Sequence, residues 1–235
     1  MSQLSDTDLH FVVRRLPKDV RELMTKCARF PKPVLLVVGG GFIRETIAGN
    51  KPNDIDVFGP TKEALSDAAT DLAVTRTVKT FRSDNAITLL CPPRLPVQFI
   101  TRWTFATPAE VVPSFDFTVC QAVVWTDGAQ WYSACAPTFY QDLAARRLVY
   151  TSPTRDEAPG GSIMRVRKFL ARGYNIQALS FGAVIARLAF KVRMAGMAAT
   201  EDEFSRVLTG LLREVDPLTV VDGLEVIDEH EVVNQ

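Results

Sequence analysis

The apolar positions of this chain change period several times, and each change marks a predicted element. Residues 34–38, VLLVV, form an apolar run of strand length and β-branched character. Gly39, Gly40 and Gly41 follow, then a short helical pattern with Phe42, Ile43 and Ile47 on one side and Arg44 on the other. Gly49, Asn50 and Pro52 end that pattern. Asp54-Ile55-Asp56-Val57-Phe58 reads as a second strand. Residues two apart in a strand face the same way, so Asp54 and Asp56 point together and Ile55 points to the core.

Before this stretch, residues 4–30 read as helical, with Pro17 suited to a helix start and Val20, Leu23, Met24 and Cys27 at helical spacing. Arg14, Arg15, Lys18 and Arg21 are expected on its solvated side. After it, Thr61 caps a predicted helix to residue 73 with Leu65, Ala68, Ala69 and Leu72 inward. Residues 74–81 and 86–91 alternate as strands around a loop at 82–85, and residues 95–102 give a third strand, antiparallel to its neighbour. Residues 108–112 suggest a short helix, 115–125 a buried strand or strand–helix junction, and Asp127-Gly128 a tight turn into a strand at 130–133. A helix is expected within 139–147, where an exposed Asp142 at the helix start is one reading. The Pro/Gly-rich stretch 151–161 reads as a linker. Beyond it, Phe181, Val184, Ile185, Leu188 and Val192 form an apolar stripe for docking a helix, and Glu201, Asp202 and Glu203 suit the start of another. The chain after Asp222 is expected to be loosely held.

Composition narrows the function. With 235 residues, 47% hydrophobic, the chain can bury a sizeable core. Lys+Arg 27 against Asp+Glu 27 argues against non-specific coating of nucleic acid. The start, MSQLSDTDLH, lacks a signal-peptide pattern and no run of apolar residues is long enough for a membrane span, so a cytoplasmic location is expected. Cys27, Cys91, Cys120 and Cys135 are scattered, which suggests free thiols. Only His10 and His230 are present, which disfavours a His-rich zinc site or a His-based triad.

The chemistry concentrates at the glycines and the aspartate pair. Two carboxylates about 4 Å apart repel by roughly 4 kcal/mol at an effective dielectric of about 20. A divalent cation removes that cost, and all-oxygen ligation suits Mg²⁺. Glycines let backbone N–H groups approach phosphate oxygens. Strand, glycine turn, helix start, loop and a strand with paired Asp together form a layout for phosphoryl transfer. A solvated strand end and an ordinary turn are the plainer alternatives.

Gly40-Gly41-Phe42-Ile43-Arg44-Glu45 followed by Asp54-Ile55-Asp56 resembles motif A of the DNA polymerase β-like nucleotidyltransferases, in particular the poly(A) polymerase and CCA-adding branch. That family reads Gly-Gly-x-hydrophobic-Arg-Asp, then Asp-x-Asp; Glu45 replaces its Asp. Later stretches are similar to the family's other motifs. Val97-Gln98-Phe99-Ile100-Thr101-Arg102 matches its third carboxylate strand with Gln98 in place of Glu. Asp116-Phe117-Thr118 matches motif B, with Ser114 and Phe115 in place of two arginines and Cys120 in place of Asn. Asp142-Leu143 looks like motif C, and Arg165 matches the arginine of motif D, whose two acids are replaced by Gly161 and Ser162. The resemblance spans residues 34–195.

The resemblance implies an α/β (α+β) nucleotidyltransferase head at 34–150, with a mixed sheet flanked by helices, after an N-terminal helical segment at 1–33. A helical neck at 162–235 would follow the linker. It implies transfer of a nucleoside monophosphate from an NTP to an acceptor hydroxyl, an RNA 3′ end first and a protein or small-molecule hydroxyl next. Asp54 and Asp56 would be catalytic and would ligate Mg²⁺ or Mn²⁺. Gly40, Gly41 and Arg44 would hold the triphosphate, with Asp116, Thr118 and Arg165 as further nucleotide contacts. Glutamine offers a neutral oxygen and cannot accept a proton. Gln98 therefore leaves three readings: two Asp ligands suffice, Asp116 or another carboxylate substitutes, or the chain is a catalytically silent nucleotide-binding or structural protein.

Overall fold

A computed structural model of the chain describes residues 1–29, 33–154, 160–194, 196 and 200–215. The expectation for the chain after Asp222, most of the linker and His230 lie outside the described residues. Two compact units emerge, one of Met1–Ala145 with Pro153 and Thr154, the other of Arg146–Ser152 with the described residues from Gly160 on.

The first unit opens with α1 (Asp6–Arg15) and α2 (Lys18–Arg29), where the sequence suggests one helical segment. The break is at Leu16, whose extended backbone (φ −60, ψ 134) is what a residue before proline prefers. Ser5 caps α1 by accepting from the Asp8 N–H. Then come β1 (Val37–Gly39), α3 (Gly41–Ile47), β2 (Ile55–Phe58), α4 (Lys62–Arg76), β3 (Thr80–Arg82), β4 (Ala86–Leu89), β5 (Val97–Ile100) and α5 (Pro108–Val111). Two 3₁₀ turns, Val112–Ser114 and Thr118–Cys120, lead to β6 (Ala122–Thr126), β7 (Trp131–Cys135) and α6 (Phe139–Ala144).

Thr61 caps α4, accepting from the Ala64 N–H at 3.1 Å. The helix runs past residue 73, into the span expected to be strand, and ends on left-handed Thr77. Tertiary pairing explains the extra turn. The Arg76 guanidinium is buried against Asp19 at 2.9 Å and donates to the Leu95 carbonyl at 3.1 Å.

The seven strands form one mixed sheet in the order β3-β4-β5-β2-β1-β6-β7. All neighbours are antiparallel except β2 and β5. Strand β5 is thus antiparallel to β4 and parallel to β2, which brings Gln98 opposite Asp56. The core is dominated by large side chains from the central strands and the elements packed on them, among them Phe42, Ile43, Ile55, Phe58, Phe99, Phe117 and Phe139.

The second unit holds a two-stranded parallel ladder, β8 (Arg147–Leu148) with β9 (Asn175–Ile176), and the helices α7 (Gly161–Ala171), α8 (Ala178–Met194) and α9 (Glu201–Val215). On α8 the buried row is Ser180, Val184, Leu188 and Val192, one residue every turn. Phe181 and Ile185, expected on that stripe, are 39% and 44% exposed because they fall to one side of the row. Among the described residues no helix is long and apolar enough to cross a membrane.

Candidate active site

The turn between β1 and α3 sits beside the aspartate pair. In the β1–β2 ladder Gly39 is the register partner of Asp56. A Cβ on Gly39 would lie 3.1 Å from the Phe115 ring, and one on Gly40 equally close, so a side chain at either position would require the ring to yield. Gly40 also has φ +73, a left-handed backbone that glycine adopts without strain. Phe115, standing where the resemblance places an arginine, is in edge contact with Phe58 at 5.7 Å between centroids. It supports the turn from beneath and supplies no charge.

Asp54 immediately precedes β2 and Asp56 lies within it, both half-buried, while Ile55 between them is fully buried. Gln98, on the neighbouring strand and 4% exposed, donates from Nε2 to the Asp54 Oδ2 at 3.1 Å. The Ile55 N–H donates to the Pro96 carbonyl at 3.0 Å, which extends the parallel ladder to this point. Among the described residues no third His, Cys, Asp or Glu joins the two aspartates in a group able to hold a metal ion. The donor set is two carboxylates and a primary amide, all hard oxygen donors once the amide presents its carbonyl. That chemistry fits Mg²⁺ or Mn²⁺ and disfavours soft metals.

Two residues expected at the triphosphate have other partners. The Gly40 N–H donates to the Ala122 carbonyl at 3.1 Å as part of the sheet, so it is not presented to a phosphate. Arg44 is 5% exposed; its Nε and Nη2 donate to Glu45 Oε1 at 2.9 and 2.7 Å, and Nη1 to the Cys120 Sγ at 3.2 Å. Glu45 also accepts from the Asn50 side chain at 2.8 Å. Arg44 thus ties α3 to the 3₁₀ turn Thr118–Cys120, and Glu45 ties it to the loop approaching Asp54. Sequence reading alone could not show this, because Glu45 and Cys120 look like simple replacements until the fold closes them around the guanidinium.

A second buried polar group lies on that 3₁₀ turn. Thr118 Oγ1 donates to Asp142 Oδ2 at 2.6 Å, with Asp142 fully buried on α6. Asp142 is therefore not the exposed helix-start acid of the plainer reading; Phe139 and Leu143 flanking it on the buried side were the available signal. Asp116 is 1% exposed, and the Gln121 Nε2 donates to the Phe115 carbonyl at 2.9 Å, fixing the bend that carries it. Arg165 is half-buried on α7, in the second unit.

The sequence profile of the "Gabija anti-defense 2 family protein" matches residues 6–146. The chain belongs to this family. No curated protein sequence matches it. Solved CCA-adding enzymes have a similar fold. The Thermotoga maritima CCA-adding enzyme complexed with tRNA is 17% identical, with a TM-score of 0.59 over 92% of this chain and 55% of that one. A CCA-adding enzyme in complex with ATP is 18% identical, with a TM-score of 0.60 over 93% of this chain and 52% of that one. Another in complex with CTP gives 18% and 0.58, over 91% of this chain and 51% of that one. The chain thus spans about half the length of these solved relatives. It shares the nucleotidyltransferase fold, with a mixed sheet flanked by helices, as the resemblance implied.

Proposed function

We propose that this chain is a nucleotidyltransferase, moving a nucleoside monophosphate from an NTP to an acceptor hydroxyl with release of pyrophosphate. The observation that carries the reading is the placement of Asp54 and Asp56 next to the Gly39–Gly40 turn, through the Gly39–Asp56 register. Carboxylate oxygens and a backbone without side chains meet there, which is what a triphosphate with its cation requires. Asp54 and Asp56 would hold Mg²⁺ or Mn²⁺, which when bound supplies positive charge against the triphosphate and the departing pyrophosphate. The glycines keep the approach open. The Arg44–Glu45–Asn50 network sets the loop that delivers Asp54, and Thr118 with Asp142 holds the turn that follows Asp116. Asp116, Thr118 and Arg165 are proposed nucleotide contacts, the head is assigned to 34–150 and the neck to 162–235.

Solved relatives in complex with tRNA, ATP and CTP support an NTP and an RNA 3′ end as partners. The family's description adds an anti-defence purpose, and nucleotidyl transfer onto a hydroxyl of its target is the chemical means proposed here. A cytoplasmic site of action accords with that reading. A second reading, a silent nucleotide-binding protein, is favoured by one observation: the Gln98 amide already satisfies an oxygen of Asp54.

The test is incubation with each α-labelled NTP and Mg²⁺ or Mn²⁺, with RNA or protein added as acceptor. Transfer and a metal-dependent NTP-induced rise in Tm are expected, both lost in the Asp54→Ala, Asp56→Ala double variant. A full rise retained by the double variant would place the metal site elsewhere.

A further inference from the structure

Helix α8 is apolar on two opposite sides, and one of them is left open. Its buried row is Ser180, Val184, Leu188 and Val192. With 3.6 residues per turn, Leu179, Ala183, Ala186 and Phe190 fall on a stripe about 150° around the helix from that row. All four are exposed, Leu179 at 86% and Phe190 at 65%, and Met194 beside them is 69% exposed. Gly182 borders the stripe, and a Cβ there would meet nothing within 4 Å. A helix that is apolar around most of its circumference is ordinarily buried, and a contiguous exposed apolar patch marks a contact surface.

We propose that this stripe joins two copies of the chain, with their α8 helices antiparallel about a two-fold axis. A two-fold contact is isologous, so the surface must complement itself. The stripe does: it is large at both ends and small in the middle. With the axis level with the Val184–Ile185 peptide, Leu179 of one copy comes level with Phe190 of the other, and Ala183 with Ala186. The alanines and Gly182 let the helix axes approach to the short end of the usual range, about 8 Å. Charge selects the same direction. Helix α8 carries Arg187, Lys191 and Arg193, all in its second half, and no Asp or Glu. Antiparallel pairing sets these cations level with the uncharged first half of the other helix or beyond its start. A parallel pair would place each cation beside its own copy, which is unfavourable. Covering a patch on the order of 500 Å² on each copy removes about 1,000 Å² in total, the lower bound for a specific interface, so the dimer is a weak one.

The experiment is sedimentation equilibrium of the full chain from about 1 to 200 µM, where mass action drives pairing. The wild type is expected to rise from the monomer mass toward twice that mass. Ala186→Arg, an exposed helix position close to the axis, should weaken association at least about tenfold while leaving the circular dichroism spectrum and Tm of the dilute protein unchanged. Phe11→Ser, which alters an exposed apolar residue elsewhere, should associate as the wild type does. Direction is read by a short bis-maleimide: a mixture of Leu179→Cys and Phe190→Cys proteins should cross-link more than either alone, against the wild-type background. A wild type that stays monomeric throughout overturns the proposal, as does full association of Ala186→Arg. Stronger cross-linking of Leu179→Cys alone than of the mixture overturns the antiparallel pairing.

Discussion

Replacing Gln98 by Glu converts a neutral contact into a charged one, and the outcome depends on metal. In the wild type the amide donates to Asp54 across 3.1 Å, with Gln98 4% exposed. A carboxylate at the same separation faces a repulsion of about 5 kcal/mol at an effective dielectric of about 20. Side-chain rotation and partial protonation relieve part of this, leaving an expected loss of about 3 kcal/mol without divalent cations. For a chain of this size each kcal/mol moves Tm by about 2–4 °C, so Gln98→Glu should melt about 6–12 °C lower in EDTA. Mg²⁺ then meets three carboxylates instead of two and binds only the folded form, so added metal should restore most of the loss. The wild type, whose amide already satisfies one Asp54 oxygen, should gain much less. The assay is thermal unfolding of both proteins in EDTA and across a Mg²⁺ series, followed by tryptophan fluorescence. Equal melting of the two proteins in EDTA, with equal metal response, would refute the placement of Gln98 against Asp54.

Three other outcomes follow from the same contacts. Thr118→Val removes the 2.6 Å hydrogen bond to fully buried Asp142 and should cost about 2–3 kcal/mol in urea unfolding. Thr75→Val on the exposed side of α4 should stay within about 0.5 kcal/mol. Asp19→Ala leaves the buried Arg76 guanidinium without its carboxylate and should cost about 3 kcal/mol. Burial pushes the Asp19 pKa up, but the hydrogen bond and charge of Arg76, the Val20 N–H and the charge of Arg94 outweigh it, and the net shift is downward. The folded protein therefore holds fewer protons than the unfolded chain between the two pKa values. The stabilisation is complete above the ordinary value of about 3.9 and is lost as pH falls through the lower folded value. Stability of Asp19→Ala against wild type at pH 7, 4 and 2.5 checks this: the difference should shrink only at the acid end.

What could be read from the sequence was local. The Val-rich run, the glycines and the Asp-x-Asp spacing announced two strands joined by a turn and a short helix, because side-chain period and backbone freedom are properties of neighbouring residues. Thr61 as a cap and Pro17 as a helix start were legible for the same reason. The end of α4 was not, since residues 74–76 alternate like a strand and are held helical by Arg76 reaching Asp19 and Leu95, far away in sequence. The partners of charged groups were equally hidden. The position of Arg44 in a motif carries no information about Glu45 and Cys120 accepting from its guanidinium, or about Asn50 holding Glu45. For Asp142 the motif match and the exposed helix start stood side by side, and only Thr118, brought up by the 3₁₀ turn, shows it satisfied in the core. A buried charge is tolerated only when it is paired and hydrogen-bonded, and for Asp142 that partner lies 24 residues away. Patterning along the chain therefore determined where Asp54 and Asp56 face, while only the closed sheet decided that Gln98 is the residue they meet.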